Sequence, residues 1–186
     1  MENILVLNGH EYYPHSKGRL NDELFQTIVE MLRPQLCVKT SVLQERFDVK
    51  DEQEKVLWAD TIIYQTPVYN YSVPALFKKY IDMTHEYGVY FSGNAEAYGI
   101  GGGKLTDKKY MLSTTWNAPA HAFENPDLFF EGKSVDDILF HIHLSHKYAG
   151  LIPLETFACF DVKKNPDVTG YINNLRMHLK EQLNLN

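Results

Sequence analysis

Five short apolar runs, at residues 4–7, 36–43, 61–65, 108–115 and 154–160, alternate along the chain with segments of helical periodicity. Leu20, Leu24, Ile28, Met31 and Leu32 recur at helical spacing, as do Ile138, Leu139 and Ile142, and near the end Ile172, Leu175, Leu179 and Leu183. Strands alternating with helices over 186 residues imply one domain, with a parallel sheet, right-handed crossovers and helices on both faces. The expected strand order is 2-1-3-4-5. Its ligand crevice lies outside the carboxyl ends of strands 1 and 3, where the order reverses.

Three of the strand ends carry more than plain turn residues. After Leu7 comes Asn8-Gly9 and a polar loop with Pro14, Ser16 and Gly18, and a helix begins near Leu20. Free backbone N–H groups at such a helix start point at whatever fills the loop. The stretch therefore fits either a phosphate-type ligand or an ordinary connection. It is neither G-x-G-x-x-G nor a Walker loop. After Gln65, Thr66-Pro67-Val68-Tyr69-Asn70-Tyr71-Ser72 leads to Pro74, well placed for the first turn of a helix. After Ser113 comes Thr114-Thr115-Trp116-Asn117-Ala118-Pro119. The strand order brings all three loops to one crevice. Residues 85–106, rich in glycine and aromatics, form an irregular excursion of a length usually associated with function.

Composition removes several classes. A net charge of −6 argues against a general nucleic-acid binder. Cys37 and Cys159, far apart in apolar runs, read as buried thiols of a reducing compartment. The chain starts directly with a strand, without a leader pattern, and no run reaches the roughly 20 apolar residues of a membrane span; the expected location is cytoplasmic. His141, His143 and His146 share one predicted helix but lack metal-ligand spacing, so they are expected to be partly exposed and no metal is expected. No G-x-S-x-G or comparable nucleophile motif is present, and no catalytic side chain is assigned.

Amide and aromatic chemistry around a phosphate-type loop remains. It suits a large planar cofactor with a diphosphate tail, such as a flavin, with Trp116 and Tyr69 or Tyr71 beside the ring. A flavin carries the redox chemistry itself, so the missing acid–base triad is expected.

The segments Asn3-Ile-Leu-Val-Leu-Asn-Gly9, Ser16-Lys-Gly-Arg-Leu-Asn-Asp22, Leu57-Trp-Ala-Asp60, Lys78-Lys-Tyr-Ile-Asp82, Lys109-Tyr-Met-Leu-Ser113 and Thr115-Trp-Asn-Ala-Pro119 resemble the modulator of drug activity B proteins. These are DT-diaphorase-like NAD(P)H:quinone oxidoreductases of the flavodoxin-like superfamily. The resemblance covers nearly the whole chain in order. It implies a flavodoxin-like three-layer sandwich, a homodimer, bound FAD, and two-electron reduction of quinones by NADPH or NADH through ping-pong hydride transfer. It also implies cofactor contacts at Ser16, Lys17, Gly18, Arg19, Leu20, Asn21, Asp22 and Glu23 for the diphosphate region. Val68, Tyr69, Asn70 and Tyr71, with Thr115, Trp116, Asn117 and Ala118, would serve the ring side, and Tyr98 would be a further flavin contact.

The chain departs from the family at one place: Pro67-Val68-Tyr69-Asn70 stands where relatives have Pro-Gly-Trp-Trp. The acceptor could accordingly be a quinone or another flat compound such as a nitroaromatic or an azo dye. Alternatives of the same fold are an FMN enzyme and a non-catalytic flavin-binding electron carrier. A flavin-free interaction module is a fourth reading.

Overall fold

The structure, a computed structural model, describes residues 2–93 and 97–185. Strands β1 (Asn3–Asn8), β2 (Cys37–Val42), β3 (Thr61–Pro67), β4 (Lys109–Thr115), β5 (Ile152–Pro153) and β6 (Phe157–Cys159) form one parallel sheet. Its order is β2-β1-β3-β4-β5, with β6 also paired to β4. The helices are α1 (Arg19–Leu32), α2 (Val49–Trp58), α3 (Ala75–Thr84), α4 (Val135–Ile138), α5 (Phe140–Ala149) and α6 (Val168–Gln182).

The expected order is present, and the expected fifth strand is two strands. Lys109 and Tyr110 pair with Ile152 and Pro153, while Ser113 to Thr115 pair with Phe157 to Cys159, one residue out of step with the first register. The extra residue is accommodated at 154–156, as in a β-bulge. There the amide of Glu155 leaves the ladder and donates to Gln182 Oε1 of α6 at 3.0 Å. The helix expected over 135–148 is likewise divided, at Leu139, and ends at Gly150 (φ 91°), a left-handed cap that glycine adopts without strain.

Strand alternation sorts the core into two layers. Leu5, Leu7, Ile62, Tyr64, Tyr110 and Leu112 face α2, α3 and α5, whose Val56, Phe77, Tyr80 and Ile142 complete that side. Ile4, Val6, Ile63 and Met111 face α1 and α6 through Leu24, Ile28, Leu175 and Leu179. All of β3 is buried, as suits a central strand covered on both faces.

Two side chains depart from expectation. Cys37 is exposed, because β2 is an edge strand, whereas Cys159 is buried and its thiol is pushed up to about 12 by burial. His146 is fully buried, stacked on Tyr110 at 4.3 Å, while His141 is exposed.

Candidate functional site: a crevice at the carboxyl end of the sheet

Beneath the crevice the ends of β1, β3 and β4 are joined by buried polar side chains. Ser113 Oγ donates to Gln65 Oε1 at 2.6 Å, and Gln65 Nε2 donates to Asn21 Oδ1 at 3.0 Å. Asn21 Nδ2 in turn donates to Asn8 Oδ1 at 2.8 Å, which also accepts the His10 amide at 3.1 Å. Every member is buried. The chain fixes the first turn of α1 to the sheet.

Above it lies a crevice of about 190 Å³, lined from the first loop by His10, His15, Ser16, Gly18, Arg19, Leu20 and Asn21. Pro67, Thr115 and Asn117 come from the ends of β3 and β4, and Val162 and Lys163 from the loop after β6. Gly18 sits at the N-cap of α1 with φ 72° and supplies no capping side chain. The first amides of α1 therefore remain available to an anion. Glycine is required here, since a Cβ would lie 2.5 Å from the His10 imidazole. Burial lowers the His10 pKa against the opposing pulls of the Ser16 carbonyl, Asp22 and Glu11. The ring is then neutral at pH 7, and Nε2–H donates to the Ser16 carbonyl at 3.3 Å. Positive charge at the crevice is supplied by Arg19 and Lys163.

Two tight turns flank this site. Tyr13-Pro14-His15-Ser16 closes with Ser16 N–H donating to the Tyr13 carbonyl at 2.9 Å. Tyr69-Asn70-Tyr71-Ser72 closes in the same way at 3.1 Å, with Asn70 (φ 48°) and Tyr71 (φ 65°) both left-handed. That is the hairpin turn in which asparagine is favoured and tyrosine is strained. Tyr69 joins the two turns: its hydroxyl lies 2.8 Å from Ser16 Oγ and donates to the Glu11 carbonyl at 3.2 Å. The Glu11 carboxylate accepts the Leu76 amide at 2.8 Å, capping α3, whose own N-cap is Pro74.

Of the sequence-predicted residues, Ser16, Gly18, Arg19, Leu20, Asn21, Thr115 and Asn117 meet at the crevice. Lys17, Asp22 and Glu23 are exposed and do not line it. Val68 is half-buried and donates its amide to the Thr115 carbonyl at 3.0 Å. Asn70 and Tyr71 form the exposed turn tip, with the Tyr71 ring 5.4 Å from Phe129. The ring of Trp116 is not beside the crevice: it is buried, donates Nε1–H to Thr114 Oγ1 at 2.9 Å and packs on Phe123. Tyr98 lies elsewhere, against a separate cavity of about 650 Å³ between the C-terminal ends of α3 and α5 that shares no residue with the crevice.

His15 and Pro67 lie in loops that the sequence singled out, whereas sequence reading missed His10, Val162 and Lys163. The last two arrive because Asp161 N–H donates to the Ala118 carbonyl at 3.0 Å and Val162 N–H to the Trp116 carbonyl at 3.1 Å. The available signal was the basic pair Lys163-Lys164 just past a strand end. Among the described residues no cluster of His, Cys, Asp and Glu could hold a metal, and no helix is long and apolar enough to cross a membrane.

Comparison with known proteins agrees with this architecture. The chain is 40% identical over 189 residues to the NADPH:quinone oxidoreductase MdaB of Haemophilus influenzae, covering 96% of this chain and 98% of that one. Among solved structures, the general stress protein 14 of Treponema denticola, crystallised with FMN, superposes with a TM-score of 0.73 at 20% identity, covering 100% of both chains. The NAD(P)H:quinone oxidoreductase of Methanothermobacter marburgensis gives 0.73 at 14% identity over 95% of this chain and 96% of that one; at these identities the likeness concerns the fold. With the strand order, the crevice at its reversal and a match to the family model over residues 2–183, this chain belongs to the flavodoxin-like fold family.

Proposed function

We propose that the chain is an FAD-dependent NAD(P)H:quinone oxidoreductase that works as a homodimer. One observation carries the reading: an uncapped α1 N-terminus, backed by a fixed polar chain and flanked by Arg19 and Lys163, opens into a crevice where four loops converge. Its donors suit a phosphate. The 40% identity to an NADPH:quinone oxidoreductase supports the reaction class. A bound flavin would supply the redox chemistry, hydride exchange between NAD(P)H and the acceptor in a ping-pong cycle.

The residues of the chain bind and orient. The amides of Arg19, Leu20 and Asn21 face the phosphate, Arg19 and Lys163 balance its charge, and Thr115 and Asn117 stand at the ring side. The crevice is smaller than the roughly 300–1,000 Å³ typical of a whole ligand pocket, so it would hold the phosphate end of the cofactor and leave the ring outside it. In the turn that flanks the crevice, the exposed Tyr71, 5.4 Å from the exposed Phe129, would offer an aromatic face to a flat acceptor. The homodimer is supported by a stripe of exposed Phe140, Leu144 and Tyr148, spaced by four residues on α5.

A second reading, FMN in place of FAD, is favoured by the crevice volume, which suits one phosphate better than a dinucleotide tail. Both are tested on the purified protein. A flavin spectrum that bleaches with NADPH and returns with a quinone is expected, and the mass of the released flavin separates FAD from FMN. A protein that takes up neither flavin refutes both.

A further inference from the structure

Proton accounting around Tyr69 leads beyond cofactor contact. A carbonyl oxygen only accepts, so the single proton of the Tyr69 hydroxyl goes to the Glu11 carbonyl, 3.2 Å away. The 2.8 Å contact with Ser16 must then be a hydrogen bond donated by the Ser16 hydroxyl to Tyr69 Oη. The other donor of Ser16, its amide, is taken by the Tyr13 carbonyl. Ser16 lines the crevice, yet it has no proton to offer there. Phosphodiester oxygens also only accept, so a phosphate reaches the Ser16 hydroxyl proton only if Tyr69 gives it up.

We infer that Tyr69 is a positioning residue that sets the crevice's affinity for a phosphorylated flavin by holding the Ser16 hydroxyl. This rests on the flavin reading above. Phosphate and Tyr69 compete for one proton, and the cost of releasing Tyr69 is subtracted from every phosphate bound. The same release leaves Tyr69 anchored by the Glu11 carbonyl alone, so the first loop and the turn that carries Tyr71 are coupled through the Ser16–Tyr69 hydrogen bond. The Glu11 carbonyl also loses a partner when Tyr69 is changed. That loss is the same in free and loaded protein, so it cancels from the dissociation constant.

The test is fluorescence titration of the full chain, stripped of flavin, with FAD, FMN and riboflavin. Tyr69→Phe is expected to bind FAD and FMN about fivefold more tightly, the worth of one neutral hydrogen bond, and riboflavin within about twofold of wild type. Ser16→Thr keeps a hydroxyl and should keep the Tyr69 effect, whereas Ser16→Ala/Tyr69→Phe should bind like Ser16→Ala. A merely structural Tyr69 gives the opposite result, with FAD weakened and riboflavin weakened alongside it. Unchanged or weaker FAD binding in Tyr69→Phe overturns the inference, as does an equal gain for riboflavin or a gain that persists in the Ser16→Ala background. Wild-type protein that binds no flavin overturns the proposed function instead.

Discussion

Gln65, at the end of the central strand, donates from Nε2 to Asn21 Oδ1 at 3.0 Å, so the helix that opens the crevice is bolted to the sheet by a buried amide pair. Asn21 is 2% exposed and Gln65 is fully buried. A polar residue in a cofactor loop invites the expectation that Asn21→Leu weakens cofactor binding more than stability. The geometry reverses that. Leucine would strand the Gln65 amide in the interior, at a cost of about 2 kcal/mol. Asn8 would keep the His10 amide. Thermal unfolding of Asn21→Leu, with and without added flavin, is expected to start about 4–8 °C lower in both conditions. A variant that melts with wild type would show that the polar chain does not hold α1.

What was legible in the sequence follows from the range of the interactions involved. The run of β3 and the spacing of α1 are local patterns, and the strand order follows from them because crossover rules leave few choices. The bulge between β5 and β6 depends on Gln182, far along the chain, and left no local mark. The same holds for Trp116. Its place in the motif suggested a ring beside the cofactor, but its orientation is decided by Thr114 and by Phe123 and Phe130 from a later segment. The first loop of the crevice was readable because glycine and a helix start are local signals. The contribution of Lys163 required knowing that β6 ends beside β4.

Lys108 is buried just before β4, with Nζ donating to the Leu57 carbonyl at 2.8 Å and the Ala59 carbonyl at 2.6 Å. With Lys55 in the last turn, it places a second cation at the C-terminal end of α2, where the helix dipole favours positive charge. Lys108→Met keeps the volume of the stem and removes both donors. Urea unfolding should show a loss of about 2 kcal/mol, the desolvation cost of the ammonium offsetting part of two charge-assisted bonds. An unchanged midpoint would mean that water caps α2 equally well.

His85 and His146 set a pH window. Burial is the main cause that lowers His85 from 6.5 to about 3, helped by His146 and Lys78, and that lowers His146 to about 4 against the pull of the Ile142 carbonyl, helped by His143. Tyr64, Tyr90 and Tyr110 complete the surroundings. A base with a depressed folded pKa takes up protons in the unfolded chain first. Its stabilisation is therefore complete above pH 6.5 and is lost as pH falls from there toward 4 and below. By pH 5 the loss is about 2 kcal/mol per histidine. Asp136 is depressed too, chiefly by its bond with His143, but its window lies below 3.8, outside the pH 7 to 4.5 range of the comparison. Urea midpoints of His146→Phe measured from pH 7 to 4.5 should fall less steeply than those of wild type. Parallel curves would remove His146 from the account. His10 moves in the same direction and is present in both proteins, so it does not affect the comparison.

The α5 stripe predicts assembly. Phe140 and Leu144 stay exposed on a helix whose other face is packed, and Tyr148 continues the row beside Tyr98 at 5.8 Å. Leu144→Glu places a charge in the middle of the row without touching the core. Sedimentation at micromolar concentration should show a dimer for wild type and a monomer for the variant. Two monomers would leave the stripe without the role proposed for it.

Tyr71 directly follows the departure from the family pattern at Pro67-Val68-Tyr69-Asn70. Its backbone is left-handed, a conformation that costs a tyrosine about 1 kcal/mol or more, and its ring reaches Phe129 and Phe130 at 5.4 and 5.9 Å. Strain kept in a turn that flanks the crevice points to use of the ring. Tyr71→Ala removes the ring and keeps the strain; Tyr71→Gly removes both. If the ring stacks on the acceptor, both variants should raise the quinone KM by roughly threefold to tenfold, the worth of one aromatic pair, and leave flavin content unchanged. Tyr71→Gly should in addition melt higher than Tyr71→Ala, because glycine adopts the turn freely. A quinone KM that stays at the wild-type value in both variants would assign Tyr71 to shaping the turn and leave acceptor choice to other residues.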